Sequence, residues 1–349
     1  MIRVLAEPAL AMILGVILAP LPGMMDCQEA IALPSSPSAQ TSGPAPREAT
    51  SPLFPIQRNG KYGYMDRSGK VVIPPQFDQA SEFSEGLAAI KIGDQAGYID
   101  TRGHRVIPLR FELAEDFSEG LAVVLFENNQ GYIDKTGQFV IPPKFYISGK
   151  FASGLARVQR QQKYGYINKA GTLVIPYQFD LAFDFSEGLA RVGLGGKEGY
   201  INTAGQFVIP PQFYDGSEFV NGLAAVETDD RWHYINPRGQ IAIATKFSRA
   251  WAFSEGMAVV RQGTQYGYIN QQGQWVIAPQ FDRATPFSEG LAVVTRDQKS
   301  GFIDKTGTVV IPLQFEIAQD FKNGLAWVMI GNRTGYINTQ GEWVWSAVP

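Results

Sequence analysis

Apolar residues in this chain come in short clusters that are rich in β-branched side chains. Polar, glycine-containing punctuation separates them. The unit that begins at Gly120 shows the pattern. Residues 121–126, Leu-Ala-Val-Val-Leu-Phe, predict a strand, and the polar run Glu-Asn-Asn-Gln predicts a turn. Residues 131–134, Gly-Tyr-Ile-Asp, predict a second strand, and Lys-Thr-Gly a second turn. Residues 138–142 predict a third strand, ended by Pro142 and Pro143, which have no N–H to give to a ladder. A ten-residue connector then leads into the next unit.

The pattern returns every 34 residues from residue 52 onward without insertion or deletion. Tetratricopeptide units have the same length, but they need two helices. Here each unit carries several Gly and Pro, and its longest uninterrupted stretch holds one helical turn at most. The fold class is therefore all-β, with nine three-stranded antiparallel meanders joined by eight connectors.

The second turn has a sequence mechanism. Asp or Asn follows the Tyr/Phe-Ile (once Tyr-Met) pair in every unit, and glycine stands three places later, at Gly69, Gly103, Gly137, Gly171, Gly205, Gly239, Gly273, Gly307 and Gly341. Asp or Asn first and Gly fourth is the signature of a type I turn, in which the glycine takes a positive φ. Two phenylalanines recur in each connector, Phe111 and Phe117 for example, with a small residue such as Ala114 midway. They are expected to plug the gap between successive units.

The N-terminal stretch differs. Residues 9–21 form an apolar run behind Arg3, shorter than the ~20 residues a membrane-spanning helix needs. Residues 1–32 are read as a signal peptide, and the Pro/Ser-rich residues 33–51 as a disordered linker. Residues 52–349 form the repeat array. The chain is thus expected to be exported, to the periplasm, cell surface or medium, with no membrane span once mature.

Composition removes several classes. A net charge of −3 gives no basic footprint for nucleic acid. The single cysteine, Cys27, excludes an internal disulfide and a multi-cysteine zinc site. His104 and His233 have no partner at triad spacing, so no catalytic residue is assigned, and no metal or cofactor is expected. The Glu of the recurrent Ser-Glu-Gly is read as a solvated turn residue, since Ser153, Asn221 and Asn323 replace it. Four aromatics beside the variable first turn, Tyr62, Tyr164, Trp232 and Tyr266, are the candidate binding residues.

The stretch Lys-Tyr-Gly-Tyr-Ile-Asn, the following Val-Ile-Pro and Phe-Ser-Glu-Gly-Leu-Ala, within residues 163–192, resembles the bacterial WG-repeat family. The resemblance covers residues 52–345 but lacks the Trp-Gly pair itself. It implies an all-β repeat protein, often exported or surface-associated, and carries no catalytic residues. Three strands per unit, and no unit split between the termini, favour an open, curved β-solenoid with capping end units. A closed propeller-like ring is the alternative. The expected function is non-enzymatic binding or scaffolding of another protein. A carbohydrate- or cell-wall-binding module is the alternative, and a hydrolase the second.

Overall fold

The computed structural model describes residues 52–347, and the expected signal and linker lie outside the described residues. All regular structure in them is β, arranged as nine small antiparallel sheets, or blades. Blade 1 comprises β1 (Phe54–Arg58), β2 (Lys61–Met65) and β3 (Val71–Phe77). Blade 2 comprises β4 (Gln79–Ala80), β5 (Leu87–Ile92), β6 (Gln95–Asp100) and β7 (Arg105–Phe111), hydrogen-bonded in that order. The expected count of three strands is corrected here. Seven blades have four, because connector residues pair with the strand that follows them, two residues in six blades and Arg249–Ser254 in blade 7. Two residues are too few to show a period-2 pattern, so the sequence presents them as connector.

Three turn types build each blade. In six blades the first hairpin turn has two central residues at positive φ, such as Asn59 (52°) and Gly60 (74°), the type I′ geometry whose twist suits paired strands. In the other three only the first is positive, at Gly93, Gly263 and Gly331. In the second turn, Asp66 Oδ1 accepts from the N–H of Ser68 (2.9 Å) and of Lys70 (3.1 Å). The nine turn glycines lie at φ between 76° and 88°. They also permit a close approach, since a Cβ on Gly137 would lie 2.9 Å from Ile107 of the preceding blade. The third turn, at Ser-Glu-Gly, again has two residues at positive φ, with Glu85 at 52° and Gly86 at 89°.

The core lies between blades. Tyr98 is fully buried, its ring 4.9 Å from Phe117, and its hydroxyl donates to Glu115 O at 2.7 Å in the next blade's connector. The same bond recurs at Tyr64, Tyr132, Tyr166, Tyr200, Tyr234 and Tyr268. Connector phenylalanines Phe117, Phe151, Phe219 and Phe321 are buried against these rings or their equivalents, filling the inter-blade gap as expected.

The array is a closed ring of nine blades, not the open solenoid. Blade 9 (residues 317–347) packs directly on blade 1, with Phe54 and the Pro55 carbonyl of β1 standing where the other seams have a connector phenylalanine and a connector carbonyl. Phe54 packs edge-on to Tyr336 at 5.7 Å, and the Tyr336 hydroxyl donates to Pro55 O at 2.9 Å. Gly69 abuts Val344, Lys322 pairs with Glu82, and Phe54, Ile56, Met65 and Leu325 form a shared apolar cluster. The end units are therefore partners rather than caps. Each buries an apolar face that an open array would leave in water.

Candidate functional site

The recurrent Glu is not merely solvated. Glu85 accepts from the N–H of Gly120, 3.1 Å away, and pairs with Lys135 at 3.1 Å, both in the next blade. Glu119 and Glu255 repeat the latch with Lys169 and Lys305. Burial pushes the Glu85 and Glu255 pKa values up, but the lysine and the turn amides outweigh it, so both sit below the usual carboxylate value. At the blade 9–blade 1 seam, Arg67 lies against Gly324 from the position equivalent to Lys135. The signal for this role was the lysine 50 residues after each such Glu.

The four candidate aromatics fall in four blades and are not brought together. Trp232 is 6% exposed and belongs to the core of blades 6 and 7. Tyr164 and Tyr266 are half-buried against the cores of their own seams, and Tyr266 leans on Trp251 at 5.5 Å. Tyr62 alone lines a large cavity. His233 is buried, while His104 is exposed beside Asp100 at 3.3 Å. Among the described residues no group of His, Cys, Asp or Glu is arranged to hold a metal.

Two places break the ninefold repetition. The first spans blades 4 to 6, where the third position of the first strand holds Arg157 and Arg191 instead of a small or apolar residue. Arg191 lies over the Phe183 ring at 3.6 Å and donates to Glu198 (2.7 Å) and Asp215 (2.8 Å). Burial pushes the Glu198 pKa up against the pull of Arg191. Arg157 pairs with Asp184 at 3.1 Å. A cavity of about 350 Å³ opens beside both arginines and Lys150.

The second break is the closing seam. Blade 1 has no fourth strand, so β1 is an edge. A cavity of about 580 Å³ runs along it from Pro55 to Gly60, walled by Tyr62, Trp327, Tyr336 and Trp345. Its polar lining comes from Gln57, Arg58, Gln319, Asn332 and Thr334. Sequence reasoning reached Tyr62 but missed Trp327 and Trp345, which become neighbours of Tyr62 only through ring closure.

Nine antiparallel blades closed end to end define a β-propeller. Among solved structures, the fold is similar to a crystal structure of a eukaryotic initiation factor, with a TM-score of 0.62 and 10% identity over 85% of this chain and 96% of that one. It is also similar to the dihydro-heme d1 dehydrogenase NirN in complex with DHE, with a TM-score of 0.50 and 13% identity over 86% and 78%. At such identities the likeness is one of fold alone. No curated protein matches the sequence. The profile of the WG containing repeat family matches eight times between residues 62 and 333, at 62–95, 97–129, 131–164, 164–197, 199–232, 234–263, 266–299 and 301–333. The chain belongs to that family.

Proposed function

We propose that this propeller is a non-enzymatic scaffold that binds another protein, in the cell envelope or outside the cell. The observation that carries this reading is the closing seam. A cavity of about 570 Å³ also lies between blades 3 and 4, beside Phe145, Tyr146 and Tyr177, but only at the ninth seam does an aromatic-walled cavity, of about 580 Å³, run along a first strand that no connector segment covers among the described residues. Exposed backbone beside half-buried aromatics suits the recognition of polypeptide. Other conspicuous polar groups serve the fold: the Glu latches and the tyrosine hydroxyls join blades, and the Asp/Asn side chains hold their own turns. A carboxylate held by a lysine and a backbone amide is a poor proton donor or acceptor for chemistry. The carbohydrate alternative rested on a row of four aromatics, and it is weakened by their separation into four blades.

The test is an affinity capture with the tagged full chain in envelope extract, with and without soluble cell-wall glycan. A protein retained in the presence of glycan supports the scaffold. Material displaced by glycan supports the carbohydrate reading instead, and a reproducible turnover of extract components would reject both.

A further inference from the structure

In blades 2 to 9 a short connector segment lies beside the first strand, and its bonds are nearly invariant. Its first residue donates N–H to the strand, as Asp78 does to Lys91 O, Glu112 to Leu125 O and Asp282 to Thr295 O. Three residues on, a second N–H reaches the carbonyl two positions back along the strand, as from Ser81 to Ala89 O. In five blades the first residue's side chain also caps the neighbouring hairpin turn. Asp78, Asp180, Asp282, Ser248 and Glu316 accept from the N–H of the turn's first residue at 2.8–3.2 Å. The third residue is Ala, Ser or Gly in all eight blades.

Blade 1 has the strand and the turn but not the segment. By the 34-residue period, Pro55, Gln57 and Asn59 correspond to Ala89, Lys91 and Gly93. Among the described residues no strand pairs with that edge of β1. The turn that leads every other connector into its first strand has no counterpart at Pro52. In the eight other blades the turn before the first strand needs two consecutive positive φ angles, 50–55° and then 74–89°. Pro52 holds the second of these positions in blade 1, and its ring fixes φ near about −65°.

We propose that this slot binds an extended peptide of a partner protein, which adds as the fourth strand of blade 1. The occupants of the eight equivalent slots indicate its chemistry: an acidic residue, as in five of the eight, to cap the Asn59 N–H, then any residue, then a small one beside Ile56. Backbone pairing to the Gln57 carbonyl, and to the second lone pair of the Pro55 carbonyl that already accepts from Tyr336, supplies affinity, as in other strand additions, and the acidic and small residues supply selection. Tyr62, Trp327 and Trp345 wall the same cavity, so the flanking side chains meet apolar rings. The inference deepens the scaffold reading and rests on it.

The probe is a fluorescein-labelled peptide Phe-Asp-Gln-Ala-Ser-Glu-Phe, the chain's own residues 77–83, titrated with the full 349-residue chain and followed by anisotropy. Saturable binding is expected, weakened at least tenfold when the peptide's Asp is changed to Lys or its Ala to Trp. Location is read with Gln57→Cys, an exposed position, and a peptide carrying Cys in place of its Gln. The variant is made in a Cys27→Ser background, and under diamide it should cross-link only with the cysteine peptide and less so when an excess of unlabelled cysteine-free peptide competes. Absence of saturable binding, indifference to both peptide changes, or cross-linking unaffected by the competitor overturns the proposal. A protein captured from extract alongside a failed peptide titration rejects the slot but keeps the scaffold. Peptide binding without any captured protein keeps the slot and removes the scaffold.

Discussion

Phe54→Ala tests ring closure directly. Phe54 is 5% exposed and packs on Tyr336 in blade 9 and within the cluster of Ile56, Met65 and Leu325. Truncating a fully packed phenylalanine costs about 3–5 kcal/mol through lost burial and the cavity left behind. The aromatic pairing with Tyr336 adds about 0.5–1.5 kcal/mol to what is lost. In a closed ring this cost appears in full, because blades 1 and 9 are interior neighbours like any other pair. In an open array Phe54 would sit on a terminal face, with no Tyr336 against it, and the change would be worth about 1 kcal/mol or less. The interior control is Phe151→Ala, where a ring 1% exposed packs 4.9 Å from Tyr132. Urea denaturation of both variants, followed by tryptophan fluorescence with Trp327 and Trp345 as reporters at the seam, should give losses within about 1 kcal/mol of each other. A Phe54→Ala loss below about 1 kcal/mol, beside a full loss at Phe151, would refute closure.

The remaining predictions use the same seams. Gly137→Ala should cost more than Gly120→Ala: both have φ near +85°, but only at Gly137 does the new Cβ meet a neighbour, Ile107 at 2.9 Å. The positive φ costs about 1 kcal/mol at each, and equal melting midpoints for the two variants would undo the contact argument. Glu85 and Glu255 have folded pKa values below their unfolded ones, so the stability they supply is present above the unfolded carboxylate value and is lost as pH falls through the folded values. The double variant Glu85→Gln/Glu255→Gln should therefore show a shallower loss of stability on acidification below the unfolded value. An unchanged acid profile would mean that the latches contribute nothing. The buried tyrosines are shifted the other way, raised by burial at Tyr64, Tyr98, Tyr132, Tyr166, Tyr200, Tyr234, Tyr268 and Tyr336. Their contribution is intact below about pH 10 and is lost above it. Phenolate absorbance should thus appear together with unfolding, and ionisation of all the tyrosines in a folded chain would contradict their burial.

The repeat, the β class and the turn chemistry were legible because each is local. Asp or Asn and a glycine three residues later specify a turn whatever surrounds them, and all nine turns form. What a residue meets in the next blade was less legible. Glu85 looks solvated in its own turn and finds its partners only at Gly120 and Lys135, 35 and 50 residues away. Closure was illegible for a related reason. No covalent or sequence feature marks the meeting of Phe54 with Tyr336. The ring closes because a fixed rotation between blades happens to sum to a full turn, and that rotation is set by side-chain packing between blades. Trp232 misled for the opposite reason. Its place beside a variable turn suggested display, yet the strand's register turns it into the core with Phe247 and Phe253.

The seam also explains how a symmetric scaffold acquires a single site. Eight equivalent slots are filled from the chain itself, and each filled slot satisfies two strand carbonyls, usually caps a turn and fixes the spacing to the next blade. Those constraints hold the ring without any need for the ninth. Blade 1 accordingly keeps Phe54 and Met65 for closure and keeps the I′ turn at Asn59 and Gly60. Pro52 stands where the connector turn would need glycine. The aromatic substitutions are concentrated there too. Trp327 and Trp345 occupy positions held by small or aliphatic residues, or arginine, in most other blades. Wide side chains at those positions wall the cavity beside β1. The proline and the two tryptophans are thus one pattern: a first strand that no described segment covers, and an aromatic furnishing of the place beside it.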